Sequence, residues 1–307
     1  MTFDPALQLS IVLALEACLG YPDALCRRIR HPVVWIGGFI SAGERRWNTR
    51  GSRRDYVMGA LLLLLLMLTV GIVAWFAQWL AERTVVVFAL LIATTGLAQR
   101  SLYTHVAAVL APLEAGDLEA ARRSVARIVG RDTAALDQSG IATAATESLA
   151  ESFCDGVIAP AFWFLVAGLP GLFIYKAVNT ADSLIGHRDA HHLGFGWAAA
   201  RTDDLANLVP ARIAGALLCL ARLRGFRIMW RDASKHASPN AGWSEAAMAG
   251  ALGVQLGGPV SYEGEPTWRP SFGDGSKPGA RDLRRALQVY VTACLILWLL
   301  VGAAWLR

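Results

Sequence analysis

The stretch Val57-Met-Gly-Ala-Leu-Leu-Leu-Leu-Leu-Leu-Met67 opens an uncharged segment that runs to Leu80. A helix needs about 20 consecutive apolar residues to cross the hydrocarbon core of a bilayer, and this segment meets that length. Residues 287–306 form a second uncharged segment of sufficient length. The chain of 307 residues is 55% hydrophobic, whereas soluble domains contain roughly 45–50% apolar residues. We therefore predict an all-α integral membrane protein.

Two weaker segments are also candidates for membrane spans. Residues 85–110 are apolar at first but become polar from Gln99 onward, and residues 6–20 contain Glu16. The N-terminus has neither a basic region nor a small-residue cleavage site, so we expect no cleaved signal peptide. The chain is predicted to be a single membrane-embedded domain with about four transmembrane helices, at about 6–20, 57–80, 85–110 and 287–306.

Basic residues are concentrated in two segments of the chain. Residues 27–54 carry eight arginines, and residues 222–285 carry ten lysines or arginines. By the positive-inside rule, both segments are expected in the cytoplasm. The net charge is +5, but no basic stretch is interleaved with aromatic residues, so nucleic acid is not an expected partner. The five cysteines have no CxxC spacing, which gives no support to disulfide or metal-binding roles.

The apolar segment 157–178 is interrupted by Gly168-Leu-Pro-Gly171. If this segment crossed the membrane fully, residues 205–220 would have to cross as well, with Arg212 at mid-depth. A charged side chain at that depth costs at least about 2.5 kcal/mol. We therefore predict a broken re-entrant helical hairpin over 157–178, with its apex at the glycine–proline turn.

This hairpin would return the chain to the cytoplasmic side, where helices and loops would carry the functional site. The acidic site region is predicted to comprise residues 113–156 and 179–212. Residues 222–285 are predicted to form a cytoplasmic loop region, because many turn formers are typical of loops that cover ligands. Within these regions we predict helices at 118–129, 140–153 and near 245–256.

Three carboxylates recur at every fourth position in Glu147-Ser-Leu-Ala-Glu151-Ser-Phe-Cys-Asp155. Four residues of α-helix rotate a side chain by only about 40° beyond a full turn, so a regular helix would present all three on one face. Like charges on one face repel each other, and carboxylate oxygens suit Mg²⁺, which proteins often bind together with phosphates. The row therefore predicts a magnesium site. A solvated helix face is the alternative interpretation, although an apolar segment follows at once.

More acids and amides follow the predicted hairpin. Asn179 and Asp182 come first, and Asp203, Asp204 and Asn207 lie in the next polar segment. Asp204 and Asn207 are three residues apart, so a helix would place them on one face. Asp203 and Asp204 would point about 100° apart, so only one of them is expected at a given metal ion.

Arginines accompany these acids, namely Arg131, Arg201 and Arg212. Their planar guanidinium groups suit phosphate or carboxylate. Carboxylates for Mg²⁺ together with arginines for phosphate are typical of phosphoryl-transfer sites. Ion pairing between these arginines and the acids is the alternative, because buried charges need partners.

Other motifs give weaker signals. The chain has no GxxxxGK[ST] motif. Gly273-Asp-Gly-Ser-Lys-Pro-Gly279 has backbone N–H groups that could hold phosphate, but a plain turn explains it better. His187 and His191 have the i, i+4 spacing of a zinc-binding pair, but the sequence indicates no third ligand.

Short motifs that include these residues follow one another along nearly the whole chain. They are His31-Pro-Val33, Gly130-Arg-Asp-Thr133, Glu147 to Gly156, Asn179-Thr-Ala-Asp182, Ala200 to Arg212, Ser238-Pro-Asn-Ala-Gly242 and Gly273-Asp-Gly275. In this order they closely resemble the adenosylcobinamide-phosphate synthase family of cobalamin biosynthesis, the CobD/CbiB family. Three positions depart from the usual pattern of that family, namely Tyr21, Ser152 and His187.

The resemblance implies a Mg²⁺- and ATP-dependent carboxylate–amine ligase. ATP, as co-substrate, would activate a carboxyl group of adenosylcobyric acid. The amine of (R)-1-amino-2-propanol or of its O-phosphate would then attack, giving adenosylcobinamide or its phosphate. The enzyme would be a multi-pass protein of the cell inner membrane, in contact with lipid, with its active site facing the cytoplasm. Later membrane enzymes of the corrinoid pathway become candidate partners.

The resemblance also implies roles for residues of this chain. The implied catalytic residues are Glu147, Glu151, Asp155, Asp182, Asp203 and Asp204, and the first four are the implied Mg²⁺ ligands. The implied substrate- and phosphate-binding residues are His31, Arg131, Asp132, Asn179, Arg201, Asn207, Arg212 and Asn240. A carboxylate such as Asp204 or Asp132 would take the proton from the attacking amine.

Two other classes of protein stay open. Asn179-Thr-Ala-Asp182 resembles motifs of aspartate-rich intramembrane phosphotransferases, but a second row of the required spacing is absent. A non-catalytic membrane scaffold or a corrinoid transporter is the other alternative. A transporter is expected to place its polar site near the membrane midplane between repeats, and the sequence shows no internal repeat.

Overall fold

The structure is a computed structural model that describes residues 4–21, 30–49, 51–187, 189, 191–262 and 264–306. Its first helices are α1 Pro5–Leu19, α2 Pro32–Trp47, α3 Arg53–Arg83, α4 Val87–Thr94, α5 Gln99–Glu114, α6 Leu118–Val125, α7 Gln138–Phe153 and α8 Ala159–Ile185. A π-helical turn, Cys154–Ile158, lies between α7 and α8. There follow α9 Trp197–Ala206, α10 Leu208–Leu220, α11 Phe226–Asp232, a 3₁₀ turn Ala233–Lys235, α12 Ala241–Leu252, strands β1 Leu256–Tyr262 and β2 Glu265–Phe272, and α13 Ala280–Trp305.

Three helical segments in the described ranges are long and apolar enough to cross a membrane, namely Arg53–Arg83, Gln138–Ile185 and Ala280–Trp305. The first and last of these contain or overlap the predicted spans 57–80 and 287–306. Helix α1 is apolar but has only 15 residues. The predicted span 85–110 is divided between α4 and α5 instead of forming one continuous helix. The helices are consistent with a membrane protein, and the number of membrane spans stays a prediction.

By its internal contacts the chain divides into two compact units. The first unit comprises Met1–Ala98, Ala159–Asn207 and Val301–Arg307, and the second comprises Gln99–Ile158 and Leu208–Leu300. The first unit therefore contains α1 to α4, α8 and α9. The second contains α5 to α7, α10 to α12, the β-hairpin and most of α13.

The core of the first unit forms where α3 packs against α8. Helix α3 begins at a capping box in which Ser52 and Asp55 exchange hydrogen bonds with each other's backbone N–H groups. Gly59 follows on the same helix and lies against the backbone of Phe195. A Cβ atom at position 59 would come within 1.8 Å of the Phe195 carbonyl oxygen. The close approach of these two segments therefore requires glycine.

Gly59→Ala is expected to destabilise the protein by about 1–3 kcal/mol, because the backbone must move to admit the methyl group. Gly38→Ala is the matched control, since a Cβ atom at this position of α2 meets nothing within 4 Å. Alanine is also the better helix former. Melting temperatures in detergent should fall by several degrees for Gly59→Ala alone. Equal melting temperatures for the two variants would contradict the close approach.

Helix α8 is interrupted at Ala167 and Gly168, and Gly168 has a φ of 62°. The N–H group of Leu169 donates instead to Oε1 of Gln78 at 3.0 Å. On the N-terminal side of the break, Nε1 of Trp163 donates to the Ala206 carbonyl at 3.2 Å. The interruption lies where the apex of the re-entrant hairpin is predicted, while the re-entrant path itself stays a prediction.

The second unit is built around α12, a helix of small residues whose side chains are nearly all buried. It packs against α7, α10 and α11. Gly253 ends it in the left-handed conformation, with φ at 72°, which is common directly after a helix. The helix predicted near 245–256 therefore begins and ends about four residues earlier in the structure.

The helices predicted at 118–129 and 140–153 correspond to α6 and α7. Asp117 caps α6 by accepting the N–H of Ala120, and Asp137 caps α7 by accepting the N–H of Gly140. Helix α6 already ends at Val125, before the predicted boundary.

The β-hairpin is the exception to the predicted all-α fold. Its strands are antiparallel, with Leu256 opposite Phe272 and an irregularity in the register between Gly257 and Gly258. Its glycines and prolines are typical of turns and are depleted in strands. For this reason residues 222–285 were predicted to be a loop region with one helix. The described part of that region contains α11, the 3₁₀ turn, α12, the hairpin and the start of α13.

Candidate functional site

The second unit contains a group of mostly buried charged residues, called here the acid–arginine network, which comprises Arg131, Glu147, His236, Glu245 and Arg269. Oε2 of Glu147 forms ion pairs with Arg131 and, at 3.4 Å, with Nη1 of Arg269. Oε1 of Glu147 accepts the N–H of Gly257 at 2.6 Å. The Glu147 side chain is only 2% exposed. Both of its oxygens are therefore occupied by donors from the protein.

Arg269 connects Glu147 to a second buried acid. Its Nη2 atom lies 3.1 Å from Oε1 of Glu245, whose side chain is fully buried. Within the described part of the chain, Oε2 of Glu245 has no hydrogen-bond partner. Nε2 of His236 lies 3.1 Å from the same guanidinium group and 3.6 Å from Oε1 of Glu245. Nδ1 of His236 accepts the N–H of Ser238 at 2.9 Å, which fixes the ring.

Burial raises the pKa of Glu245 well above its usual value, because a carboxylate loses its hydration there. The positive charge of Arg269 opposes this rise, whereas Glu147 and Glu151 increase it. Arg131 and Arg269 both face the Glu147 carboxylate in the network. Guanidinium groups also suit an anion such as phosphate or carboxylate.

Glu245→Gln is expected to reduce the pH dependence of stability. Because the pKa of Glu245 is higher in the folded protein, its stabilising contribution is present below the unfolded pKa of about 4.3. That contribution is lost as the pH rises through the folded pKa. Glutamine has the same shape and does not ionise. The fall in melting temperature that ionisation of Glu245 causes between about pH 4 and pH 8 should therefore be absent in the variant.

The control for this prediction is Glu119→Gln, because the Glu119 side chain is 71% exposed on α6. It should keep the wild-type pH dependence. Identical slopes for wild type and Glu245→Gln would contradict a buried, protonated Glu245.

The predicted row of three carboxylates lies in three different environments. Glu147 is buried in the network, Glu151 is exposed and Asp155 is half-buried. Asp155 belongs to the π-helical turn, whose i→i+5 bonding interrupts the α-helical spacing on which the prediction depended. Of the predicted Mg²⁺ ligands in this unit, Glu151 and Asp155 are therefore less buried than Glu147, which pairs with arginines.

Other predicted binding residues fix the segments around the network. Oδ2 of Asp132 accepts the N–H of Gly264 in the hairpin turn at 2.8 Å. Nη1 of Arg212 donates to Oδ1 of Asn240 at 3.0 Å, and its guanidinium group lies 4.7 Å from the ring centroid of Trp243. Asp132, Arg212 and Asn240 therefore have structural contacts, and their roles in binding substrate stay predictions.

The first unit contains a separate polar group, called here the Asp203 cluster, which comprises Tyr175, Lys176, Asn179, Asp203 and Asn207. The Asp203 carboxylate accepts Nδ2 of Asn179 at 3.3 Å and Nδ2 of Asn207 at 3.1 Å. Oδ1 of Asn207 accepts the Tyr175 hydroxyl at 3.1 Å. Nζ of Lys176 donates to Oδ1 of Asn179 at 3.4 Å. These bonds orient a carboxylate that is itself buried.

Burial is the main cause that raises the pKa of Asp203, and the nearby charge of Asp204 adds to it. The hydrogen bonds from Asn179 and Asn207 oppose the rise. Asp204 lies 3.0 Å from Nη1 of Arg201, in an ion pair. An acid with a raised pKa is suited to exchange protons. Within this unit, Asp203 fits that role better than the predicted Asp204.

Asp182 and His31 are also held by local contacts. The Asp182 carboxylate lies over Gly186, where a Cβ atom would come within 2.0 Å of Oδ1. His31 caps α2, with Nδ1 accepting the N–H of Val33 at 3.3 Å. Burial, followed by the charge of Lys176, lowers the pKa of His31. Its ring packs at 4.7 Å against Tyr21, one of the three positions that depart from the family pattern.

Several functional candidates were not predicted from the sequence, namely Lys176, His236, Glu245 and Arg269. The signal for Glu245 is an acid inside the small-residue helix Ala241–Leu252. Arg269 could have been found only by recognising β2. The alternative of simple ion pairing is observed for Arg131 with Glu147 and for Arg201 with Asp204.

The segment Gly273–Gly279 forms a turn, as the plainer interpretation expected. The Asp274 carboxylate accepts two bonds from Arg231, at 2.7 and 2.8 Å. The N–H of Gly273 donates to Oδ2 of Asp232 at 2.9 Å. A Cβ atom at Gly275 would come within 2.0 Å of the Gly253 carbonyl oxygen. Close packing therefore accounts for Gly273 and Gly275.

Long apolar helices and buried acid–arginine contacts are the features of a helical membrane protein with charged functional sites. The chain belongs to the CobD/CbiB protein family, whose model matches residues 9–290. The cobalamin biosynthesis protein CobD of Rhodobacter capsulatus is 47% identical over 303 residues, covering 97% of this chain and 96% of the relative. The CobD proteins of Brucella anthropi and Rhizobium meliloti are 43% and 41% identical, covering 96% and 99% of this chain and 95% and 98% of theirs.

No solved structure matches the chain. The family predicted from the sequence motifs is confirmed by these comparisons. Membership implies a role in the cobalamin pathway, and with it corrinoid substrates.

Proposed function

We propose that this protein joins adenosylcobyric acid to (R)-1-amino-2-propanol or its O-phosphate at the expense of ATP. The product is adenosylcobinamide or its phosphate. Family membership gives the pathway, and the observation that carries the reaction type is the pair of arginines, Arg131 and Arg269, on one buried carboxylate. A carboxylate is a poor electrophile, so it must first be phosphorylated. Phosphoryl transfer depends on groups that position phosphate and neutralise its charge.

In the proposed mechanism, Arg131 and Arg269 bind phosphate or the activated carboxyl group. Glu147 keeps the two guanidinium groups in place, since it contacts both. A protonated Glu245 can donate a hydrogen bond from Oε2, which has no other partner among the described residues. An anion near these groups would receive hydrogen bonds from the two guanidinium groups, which it would share with the Glu147 carboxylate.

Glu151 and Asp155 are proposed to hold Mg²⁺ in the second unit. Asp182, which belongs to the first unit, stays a predicted metal ligand. Carboxylate oxygens suit this cation. Glu151 is exposed and Asp155 half-buried, whereas Glu147 is buried and paired with arginines. The bound ion would neutralise the charge of ATP and of the transferred phosphoryl group.

Asp203 is proposed to accept a proton from the amine. As the amine nitrogen bonds to the carbonyl carbon and phosphate leaves, a proton must pass from the amine to a base, and Asp203 is the candidate base in the first unit. Asn179 and Asn207 orient that carboxylate through one hydrogen bond to each oxygen. The basic segments suggest that this site faces the cytoplasm at the inner membrane.

The test uses detergent-purified protein with adenosylcobyric acid, Mg²⁺ and ATP, together with either amine. The corrinoid is followed by mass, and nucleotide consumption is measured in parallel. We expect the amide product, with ATP consumption that depends on both organic substrates. Folded protein that forms no product with either amine would favour the scaffold or transporter class and overturn the proposal.

A further inference from the structure

Three potential metal ligands meet in the first unit, where the segment after α8 lies against α2. Oε1 of Glu44 lies 3.0 Å from Nε2 of His191 and 3.1 Å from Nε2 of His192. The three donor atoms all lie within 4.8 Å of one another. The side chains of Glu44, His191 and His192 are 21%, 35% and 18% exposed, so all three are partly shielded from solvent. The sequence had suggested His187 with His191 and had offered no third ligand.

The two distances from Glu44 to the histidines are close to those between ligands of one ion. Two ligands of a tetrahedral Zn²⁺ with bonds of about 2.0–2.1 Å lie roughly 3.3 Å apart. The two oxygen–nitrogen distances at Glu44 are close to that value. Two imidazole nitrogens and one carboxylate oxygen also form a donor set that zinc sites use, with the fourth position left open.

Asp189 supplies a second and independent indication. Its Oδ2 atom lies 2.8 Å from Nδ1 of His192, on the side of the ring away from Glu44. Its Oδ1 atom accepts the backbone N–H groups of His191 and His192 at 2.8 and 3.0 Å. A carboxylate that accepts the second N–H of a histidine is the usual companion of a metal ligand, because it fixes the tautomer and orients the free lone pair.

Ion pairing alone accounts less well for this arrangement. To donate to both Asp189 and Glu44, His192 would need a proton on each nitrogen and therefore a positive charge. The His191 ring is only 4.4 Å away, centroid to centroid, and also directs Nε2 at Glu44. A bound cation would satisfy all three donor atoms with both imidazoles neutral.

We propose that Glu44, His191 and His192 bind a divalent transition-metal ion of the zinc type. The site fixes the segment between α8 and α9 to α2, joining residues 147 positions apart in the sequence. Nδ2 of Asn48 supports the same connection by donating to the His191 carbonyl at 3.0 Å. This segment separates Asp182 from Asp203, so the ion would stabilise the part of the unit that carries the Asp203 cluster.

The first test measures metal binding directly, on protein from which the affinity tag has been removed. After chelator treatment, the protein is titrated with Zn²⁺ against a chromophoric indicator. We expect one tight site per chain. Glu44→Gln and His192→Gln should each weaken binding by more than about 100-fold, since each removes a ligand. His105→Gln, at an exposed histidine of α5, is the control and should bind like wild type.

The second test addresses the geometry. Asp189→Asn keeps Oδ1 as an acceptor for the two backbone N–H groups but no longer accepts from His192, so affinity should fall by about 10–100-fold. Co²⁺ should give the intense visible absorption of a four-coordinate site in wild type. Wild-type protein that binds less than one Zn²⁺ per chain would overturn the proposal, and this result does not depend on whether a variant folds. Unchanged binding in Glu44→Gln and His192→Gln would also overturn it.

Discussion

Glu151→Gln is expected to lower kcat/KM for amide formation by about 10²–10³-fold or more, the cost of removing one electrostatic contact to a transition state. Glu151 is exposed, so the substitution should change stability by no more than about 0.5 kcal/mol. If the carboxylate binds Mg²⁺, the variant should also need a higher Mg²⁺ concentration for half-maximal rate. This shift distinguishes a metal ligand from a residue that contacts only the organic substrates.

The experiment compares Mg²⁺ titrations of initial rate for wild type, Glu151→Gln and Asp155→Asn. Glu119→Gln serves as the control, because this exposed glutamate of α6 lies outside both proposed sites. It should have wild-type kinetics. Near-normal turnover in both Glu151→Gln and Asp155→Asn would exclude the proposed magnesium ligands, while product formation by the wild type would leave the proposed reaction intact.

The parts of the fold that the sequence predicted are those governed by local physics. The uncharged run from Val57 gives α3, and Asp117 marks the start of α6 as a cap. Gly168 marks the interruption of α8. In each case the deciding interaction lies within one or two helical turns, or is the general preference of apolar side chains for an apolar surrounding.

The partners of the charged residues could not be predicted, because they depend on contacts between distant segments. Glu147 meets Arg269, which is 122 residues away on a strand that resembled a loop. A carboxylate in a regular row predicts a metal ligand or an ion pair equally well until its neighbours are known. The same limit applied to Glu44, whose contact with His191 has no counterpart in sequence spacing.

Residue type and order nevertheless selected polar residues that the structure brings together. Asn179, Asp203 and Asn207 were predicted from type and order, and the structure joins them in one cluster. The proposal differs from the prediction in the acid that would exchange a proton. Burial distinguishes Asp203 from Asp204, and adjacent residues in a helix give no such information in the sequence.

Arg131→Met is expected to destabilise the protein by roughly 3 kcal/mol, at the lower end of the range for removing one partner of a buried ion pair. The Arg131 side chain is 9% exposed and the Glu147 side chain 2%, so the remaining carboxylate cannot recover its hydration. Arg269 still contacts it at 3.4 Å, which limits the loss. For a domain of this size the melting temperature should fall by about 6–12 °C.

A double-mutant cycle shows whether this loss comes from the pair. In Arg131→Met/Glu147→Gln the unpaired buried carboxylate is gone, so the double variant should lose less stability than the sum of the two single variants, by about 0.5–3 kcal/mol. Arg123→Met, at an exposed arginine of α6, is the control and should stay within about 0.5 kcal/mol of wild type. Additive effects would mean that the two side chains do not interact.

Arg131→Lys separates stability from function, since it keeps the charge near Glu147 but loses the planar guanidinium group that suits phosphate. Arg131→Lys should therefore have a higher melting temperature than Arg131→Met, while its turnover should be lower than that of the wild type.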